Sequence, residues 1–265
     1  MRGVALVLLL LAGCGQAGGD SAMRFDRAAG QSDVQHGARL ARVLGCAGCH
    51  GTDLTGQVWE EEADFALSFS SNLTRALPGY SDGEIERAVR AGIRRDGSPL
   101  WGMPSNIFLH LDRGDMAALI AYLRTLRPKG AAHPRIVFGP RGRREVATGA
   151  YKPAPLLVRE GRDLWPARLD GRHEQARSIT RATCAECHGL TLAGQGEAPE
   201  HTPDLVVAAA YTRAQFHHLL RTGVPVGGRQ LVLMDVVARG RFVHLTDREV
   251  DAIYDYLVAR ANAAR

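Results

Sequence analysis

Two five-residue stretches, Cys46-Ala47-Gly48-Cys49-His50 and Cys184-Ala185-Glu186-Cys187-His188, decide the reading of this 265-residue chain. Each sets two thiols one helical turn apart and an imidazole on the next residue. That spacing predicts covalent haem attachment, in which each thiol forms a thioether to a haem vinyl group and the histidine binds the iron as proximal ligand. A zinc site needs four ligands around one ion, and a redox dithiol has no use for the following histidine. The expected cofactors are therefore two covalently bound haem c groups with their irons. Cys46, Cys49, Cys184 and Cys187 would hold them, and His50 and His188 would face the metals.

The sequence around the two motifs repeats. Cys46 to Gln57 aligns without gaps on Cys184 to Gln195, and Tyr80 to Met103 aligns without gaps on Tyr211 to Met234. The chain thus reads as two versions of one module, each with its own haem. The remaining axial position decides between carrier and catalyst, and methionine there is the usual choice of electron-carrying haem proteins. Met103, in Leu100-Trp101-Gly102-Met103-Pro104, sits where glycine and proline hold the backbone off helical geometry. Its repeat partner Met234 lacks those flanking residues, so Met234 in a core, with His217, His218 or His244 on the second iron, or an open site, stays an alternative. Met116 falls on the apolar stripe Met116, Leu119, Ile120, Leu123 and reads as core. Met23 precedes any folded pattern. His36, His110, His133, His173 and His201 have no partner at ligand spacing and read as surface or loop residues.

Composition narrows the class. Apolar residues make up 45% of the chain but aromatics only 6%, a sparse supply that a bulky apolar cofactor at each centre would explain. The formal charge of +5 is weak for a nucleic-acid binder. No glycine-rich phosphate loop and no helix patterned with basic and aromatic residues occurs, so no nucleic-acid partner is expected. At the N-terminus, Arg2 precedes the apolar run Val4 to Ala12, too short to span a bilayer and readable as an export signal. Its end, Leu11-Ala12-Gly13-Cys14, resembles the lipobox of bacterial lipoproteins, which implies cleavage before Cys14 and acylation of that cysteine. With Cys14 given to lipid, the other four cysteines fall into the two motifs and none is left over.

Residues 1–22 are accordingly set aside as lipoprotein signal and anchor region. Residues 23–127 form the first module, 128–168 a linker and 169–265 the second module. His36 to Gly45 predicts a helix with Leu40, Val43 and Leu44 on its apolar side. Ser81-Asp82-Gly83-Glu84 matches a capping box and Thr212-Arg213-Ala214-Gln215 is its counterpart. Amphipathic helices over Asp115 to Leu126 and Thr246 to Val258 would close the modules. No alternating strand pattern stands out, so the modules read as all-α. Pro, Gly and Arg crowd the segment from Arg127 to about Asp170, which predicts an extended linker along the modules, with Arg141, Arg143 and Arg144 as a solvated basic cluster.

In order, the entry helix, C-x-x-C-H, methionine loop and closing helix, twice over, resemble the class I cytochrome c family. The resemblance implies an all-α fold of two tandem class I modules. The stretch Ser71-Asn72-Leu73-Thr74, then Tyr80 to Glu84 and Gly102-Met103-Pro104, is similar to the multi-haem cytochrome c subunits of bacterial membrane-bound alcohol and aldehyde dehydrogenases. That likeness implies an electron-transfer subunit taking electrons from a dehydrogenase and passing them to a quinone-linked acceptor or an oxidase, on the periplasmic side of a bacterial membrane. Asn72 and Thr74 would lie near the first haem, with Thr202-Pro203-Asp204 comparably placed in the second half. Two motifs where three are common mark a departure from that family. The rival class is a di-haem peroxidase or another haem oxidoreductase with one open or labile axial site. A haem-based sensor would need a signalling module, and none is attached.

Overall fold

The structure is a computed structural model that describes residues 22–196 and 201–264. The proposed export signal and Cys14 lie outside the described residues. Among the described residues, no helix is long and apolar enough to cross a membrane.

The first module opens with α1 (Asp33–Val43), whose capping box uses Ser32 and Gln35, and whose buried face includes Leu40 and Val43. The short α2 (Cys46–His50) carries the first motif. Strands β1 (Val58–Glu62) and β2 (Ala66–Phe69) follow, then α3 (Leu73–Ala76) and α4 (Asp82–Ala91). The helix α4 starts on the expected box, with Ser81 and Glu84 satisfying each other's backbone N–H groups. After the methionine loop, α5 (Ser105–Phe108) and α6 (Arg113–Leu123) close the module. Met116, Leu119, Ile120 and Leu123 of α6 are all buried, as their spacing predicts. Helices α1 and α6 pack so closely that Gly37 lies directly on the Ala118 carbonyl.

Residues 128–168 are more structured than their composition predicts. They hold β3 (Val137–Phe138), α7 (Pro140–Thr148) and α8 (Ala154–Gly161). Both helices carry proline in the first turn, Pro140 in α7 and Pro155 in α8, where its fixed φ and missing N–H do no harm, so the prolines punctuate this segment without denying it structure. The three strands form one antiparallel sheet in the order β1-β2-β3. It escapes the usual alternation because β2 buries Ala66 and Ser68 and turns Leu67 outward. Arg141 in α7 is ion-paired to Glu145 at 2.9 Å and stacks on Phe65, so the basic cluster is partly engaged within this segment.

The second module comprises α9 (Glu174–His188), α10 (Arg213–Thr222), α11 (Val232–Gly240) and α12 (Asp247–Ala263). Here the entry helix runs unbroken into the haem motif. Thr212/Gln215 and Thr246/Glu249 form capping boxes on α10 and α12. Val250, Ile253 and Leu257 of α12 are buried, and α12 packs on α9.

A single apolar cluster runs through both modules. Polar ties reinforce the joint. Arg39 of α1 bonds Glu249 of α12 at 2.9 Å, with Glu249 only 1% exposed. The fully buried Arg181 of α9 donates to the Asn106 and Leu164 carbonyls and stacks on Trp165. Two expectations are corrected here. Met23 is fully buried and bridges Leu111, its N–H donating to the His110 carbonyl. His36 is no surface residue: its ring is buried and meets Asp115 at 2.8 Å, while Asp115 also accepts from the Phe25 N–H. A carboxylate about eighty residues away in sequence supplies the partner that makes burial of the imidazole tolerable.

Candidate haem sites

In each module the motif is a helical turn followed by a loop that returns beneath it, and the loops match bond for bond. The Gly56 N–H donates to the His50 carbonyl at 2.7 Å, as Gly194 N–H does to His188 at 2.9 Å. Leu54 and Leu192 both take positive φ, 59° and 64°, an unusual choice for leucine shared by the two repeats. Both are buried. The side chain of Gln57 donates to the Gly48 carbonyl at 2.8 Å, and Gln195 to Glu186 at 2.9 Å. These bonds explain why the ungapped sequence repeat extends to those glutamines.

The two histidines are oriented alike. His50 Nδ1 meets the Ser71 carbonyl at 2.8 Å, and His188 Nδ1 meets the Pro203 carbonyl at 2.8 Å. A carbonyl only accepts, so Nδ1 carries the proton and Nε2 is left as the ring's lone-pair nitrogen, the arrangement of a metal-ligating imidazole. Burial lowers both imidazole pKa values, against the carbonyl bonds that raise them, and this favours the neutral ring that coordination requires.

Around the first motif, Cys46, Cys49, His50 and Met103 line one cavity of about 300 Å³, together with apolar residues such as Leu73, Ile85 and Leu119. Burial pushes the Cys46 and Cys184 thiols up to about 11. Protonated thiols are poor ligands for zinc and poor redox nucleophiles. Among the described residues, no group of three or more His, Cys, Asp or Glu side chains converges as a cage for a bare metal ion. Two thiols, an oriented imidazole and a thioether around an apolar cavity fit a flat apolar group with an iron at its centre.

The methionine loop of the first site is fixed by the linker. Gly102 has φ 71°, the Leu100 N–H donates to the Gly92 carbonyl at 2.7 Å, and Leu100 in turn accepts from Ala154 at 2.9 Å. Trp101 stacks on Tyr151 with ring centres 5.5 Å apart and meets Phe138 edge-on. Tyr151 and residues His133 to Ile136 also line the cavity, as does Trp59 of β1. The sequence reading missed this wall, since nothing in the segment's composition reveals tertiary contacts. Asn72 and Thr74 flank Ser71 and Leu73, which line the cavity, but their side chains act on the linker: Asn72 donates to the Lys129 and Ala131 carbonyls, and Thr74 bonds Asn72. Their counterparts act on their own module. Thr202 donates to the Cys187 carbonyl at 2.6 Å, and Asp204 pairs with Arg260 at 2.7 Å.

At the second site Cys184, Leu205, Tyr211 and Met234 pack against the core, matching Cys46, Leu73, Tyr80 and Met103 of the first. Met234 differs in setting, lying in the first turn of α11 instead of a loop. Val232, Leu233 and Val236 around it are exposed. Of the alternative ligands, His217 is engaged by Asp251 at 3.0 Å and His244 is half-buried. His110, His133 and His173 are half-buried and bonded to protein oxygens, and His201 is exposed.

Residues 34–127 match the family described as cytochrome c, and residues 171–257 match that described as cytochrome c oxidase, cbb3-type, subunit III. The chain carries two cytochrome c domains, and such domains imply covalently bound haem c. It is similar to the fructose dehydrogenase cytochrome subunit of Gluconobacter japonicus, with 24% identity over 267 residues, covering 84% of this chain and 52% of that one. It is also similar to the cytochrome c subunit of a quinone-type alcohol dehydrogenase from Gluconacetobacter polyoxogenes, with 39% identity over 98 residues. That match covers 34% of this chain and 21% of the relative. A nicotinate dehydrogenase component from Pseudomonas putida is 29% identical over 140 residues, 46% of this chain and 12% of its own length. The chain thus matches about half or less of each relative's length. The likeness supports a role in electron transfer.

Proposed function

We propose that the chain binds two haem c groups and serves as an electron-carrying partner of an exported dehydrogenase. Cys46 and Cys49 would attach the first haem and Cys184 and Cys187 the second. His50 and Met103 would hold the first iron, His188 and Met234 the second. When bound, haem c supplies one-electron ferric/ferrous chemistry. The protein's part is to hold both axial ligands in place, exclude water from the iron and set the potential by ligand type, burial and hydrogen bonding. The observation that carries this reading is the duplicated imidazole orientation, with each Nδ1 bonded to a loop carbonyl at 2.8 Å.

The dehydrogenase cytochrome subunits among its relatives support a dehydrogenase donor, with a quinone-linked acceptor or an oxidase downstream. An export signal and acylated Cys14 would hold the protein on the periplasmic side of a bacterial membrane. A second reading, a peroxidase with a labile second iron, draws on the helical setting of Met234 and its exposed neighbours.

Mass spectrometry of denatured mature protein tests the proposal. Two covalent haems are expected, and Cys184→Ser should lose one. A wild-type protein without covalent haem would end the reading. Peroxide added to half-reduced protein should give no sustained turnover, whereas robust turnover would replace the carrier with the peroxidase.

A further inference from the structure

The two motifs converge on one side chain. Arg241, at the C-terminal end of α11 in the second module, donates through Nε to the Val43 carbonyl of the first module at 3.2 Å. Through Nη1 it bonds Glu186, inside the second C-x-x-C-H, at 2.8 Å. Glu186 also lines the cavity shared by Cys46, Cys49 and His50. The close fit is mutual: a Cβ on Gly45, which precedes Cys46 with φ 80°, would lie 2.8 Å from the Arg241 Cζ. The third guanidinium nitrogen, Nη2, is buried with no hydrogen-bond partner among the described residues. A buried cation with an unspent donor costs stability, and such costs are characteristic of functional sites.

We propose that Arg241, paired with Glu186, is a shared positioning residue that sets the potentials of both haem sites together. The inference rests on both motifs carrying haem. Each iron gains one electron on going from ferric to ferrous, so the charge at its site falls by one. A fixed cation beside the site favours the reduced form and a fixed anion the oxidised form. The guanidinium lies against Gly45, next to Cys46, on one side and pairs with Glu186, between Cys184 and Cys187, on the other. One charge at the seam therefore reaches both centres, where a surface arginine would be screened from at least one.

The test is redox titration of the full mature protein, haem-loaded, as wild type, Arg241→Gln, Arg241→Lys and Glu186→Gln. Arg241→Gln should lower both midpoint potentials and Glu186→Gln should raise both, with Arg241→Lys close to wild type. A merely structural salt bridge is broken equally from either side, so it would move the potentials in the same direction in both Gln variants. Shifts of equal sign, or shifts confined to one haem, would overturn the proposal. If Arg241→Gln fails to mature, the Glu186→Gln and Arg241→Lys arms decide: a rise at both haems with the lysine variant near wild type supports it, and anything else refutes it. Wild-type protein with fewer than two covalent haems would instead refute the two-haem reading, which keeps the two failures apart.

Discussion

Replacing Gly37 by alanine adds one methyl carbon at the crossing of α1 and α6. That Cβ would sit 2.5 Å from the Ala118 carbonyl carbon and 2.9 Å from the Tyr122 Cβ, and closer still to the Ala118 oxygen. Ordinary contact begins near 3.4 Å, so the helices must separate by about 1.5 Å to clear the Ala118 oxygen. The nearest obstacles are backbone and a Cβ, neither of which can rotate away. Alanine gains about 1 kcal/mol of helix propensity over glycine. Overpacking typically costs about 1–3 kcal/mol, and here the separation also loosens Leu40, Met116 and Leu119, all buried at or beside the crossing. A net loss of about 1–2 kcal/mol is expected, read as a lower urea midpoint at unchanged slope. Gly83→Ala is the matched control. It makes the same chemical change in the first turn of α4, where the new Cβ meets nothing within 4 Å. If Gly37→Ala proves as benign as Gly83→Ala, the two helices do not meet at this glycine and the packing argument fails. Because α1 leads directly into Cys46, a shifted helix should also disturb the first haem site before the second.

Met103→Ala should lower the first haem's potential and let an added small ligand bind its iron; an unchanged redox titration would remove Met103 from the coordination sphere. Tyr256 is buried and donates its hydroxyl to the Ala167 carbonyl at 2.7 Å, and burial pushes its phenol up to about 12 from an ordinary value of 10.0. The folded state holds its proton longer than the unfolded chain does, so its contribution is complete below about pH 10 and is lost as pH rises toward about 12. The loss should amount to about 2–3 kcal/mol, and Tyr256→Phe should flatten that part of the stability profile. A profile as steep in the phenylalanine variant would assign the alkaline loss to other groups.

The sequence determined what depends on local spacing. Two thiols a turn apart followed by an imidazole, the capping boxes at Ser81 and Thr212, and the apolar stripes of α6 and α12 are short-range patterns, and each survives in the structure. Internal repetition carried this further, because two copies of one pattern must satisfy the same backbone bonds, as Leu54 and Leu192 do with their shared positive φ. Tertiary structure decided the rest. Burial of His36 depended on Asp115, and burial of Met23 on a bridge to Leu111. The aromatic wall of Trp101, Phe138 and Tyr151 joined residues from two segments that composition had set apart. Whether Arg241 would be a solvated surface charge or a cation held between two cysteine motifs was equally invisible. Spacing fixes which side chains one stretch of backbone can present together. Which distant groups neutralise, cover or crowd them depends on how the chain closes on itself, and only packing specifies that.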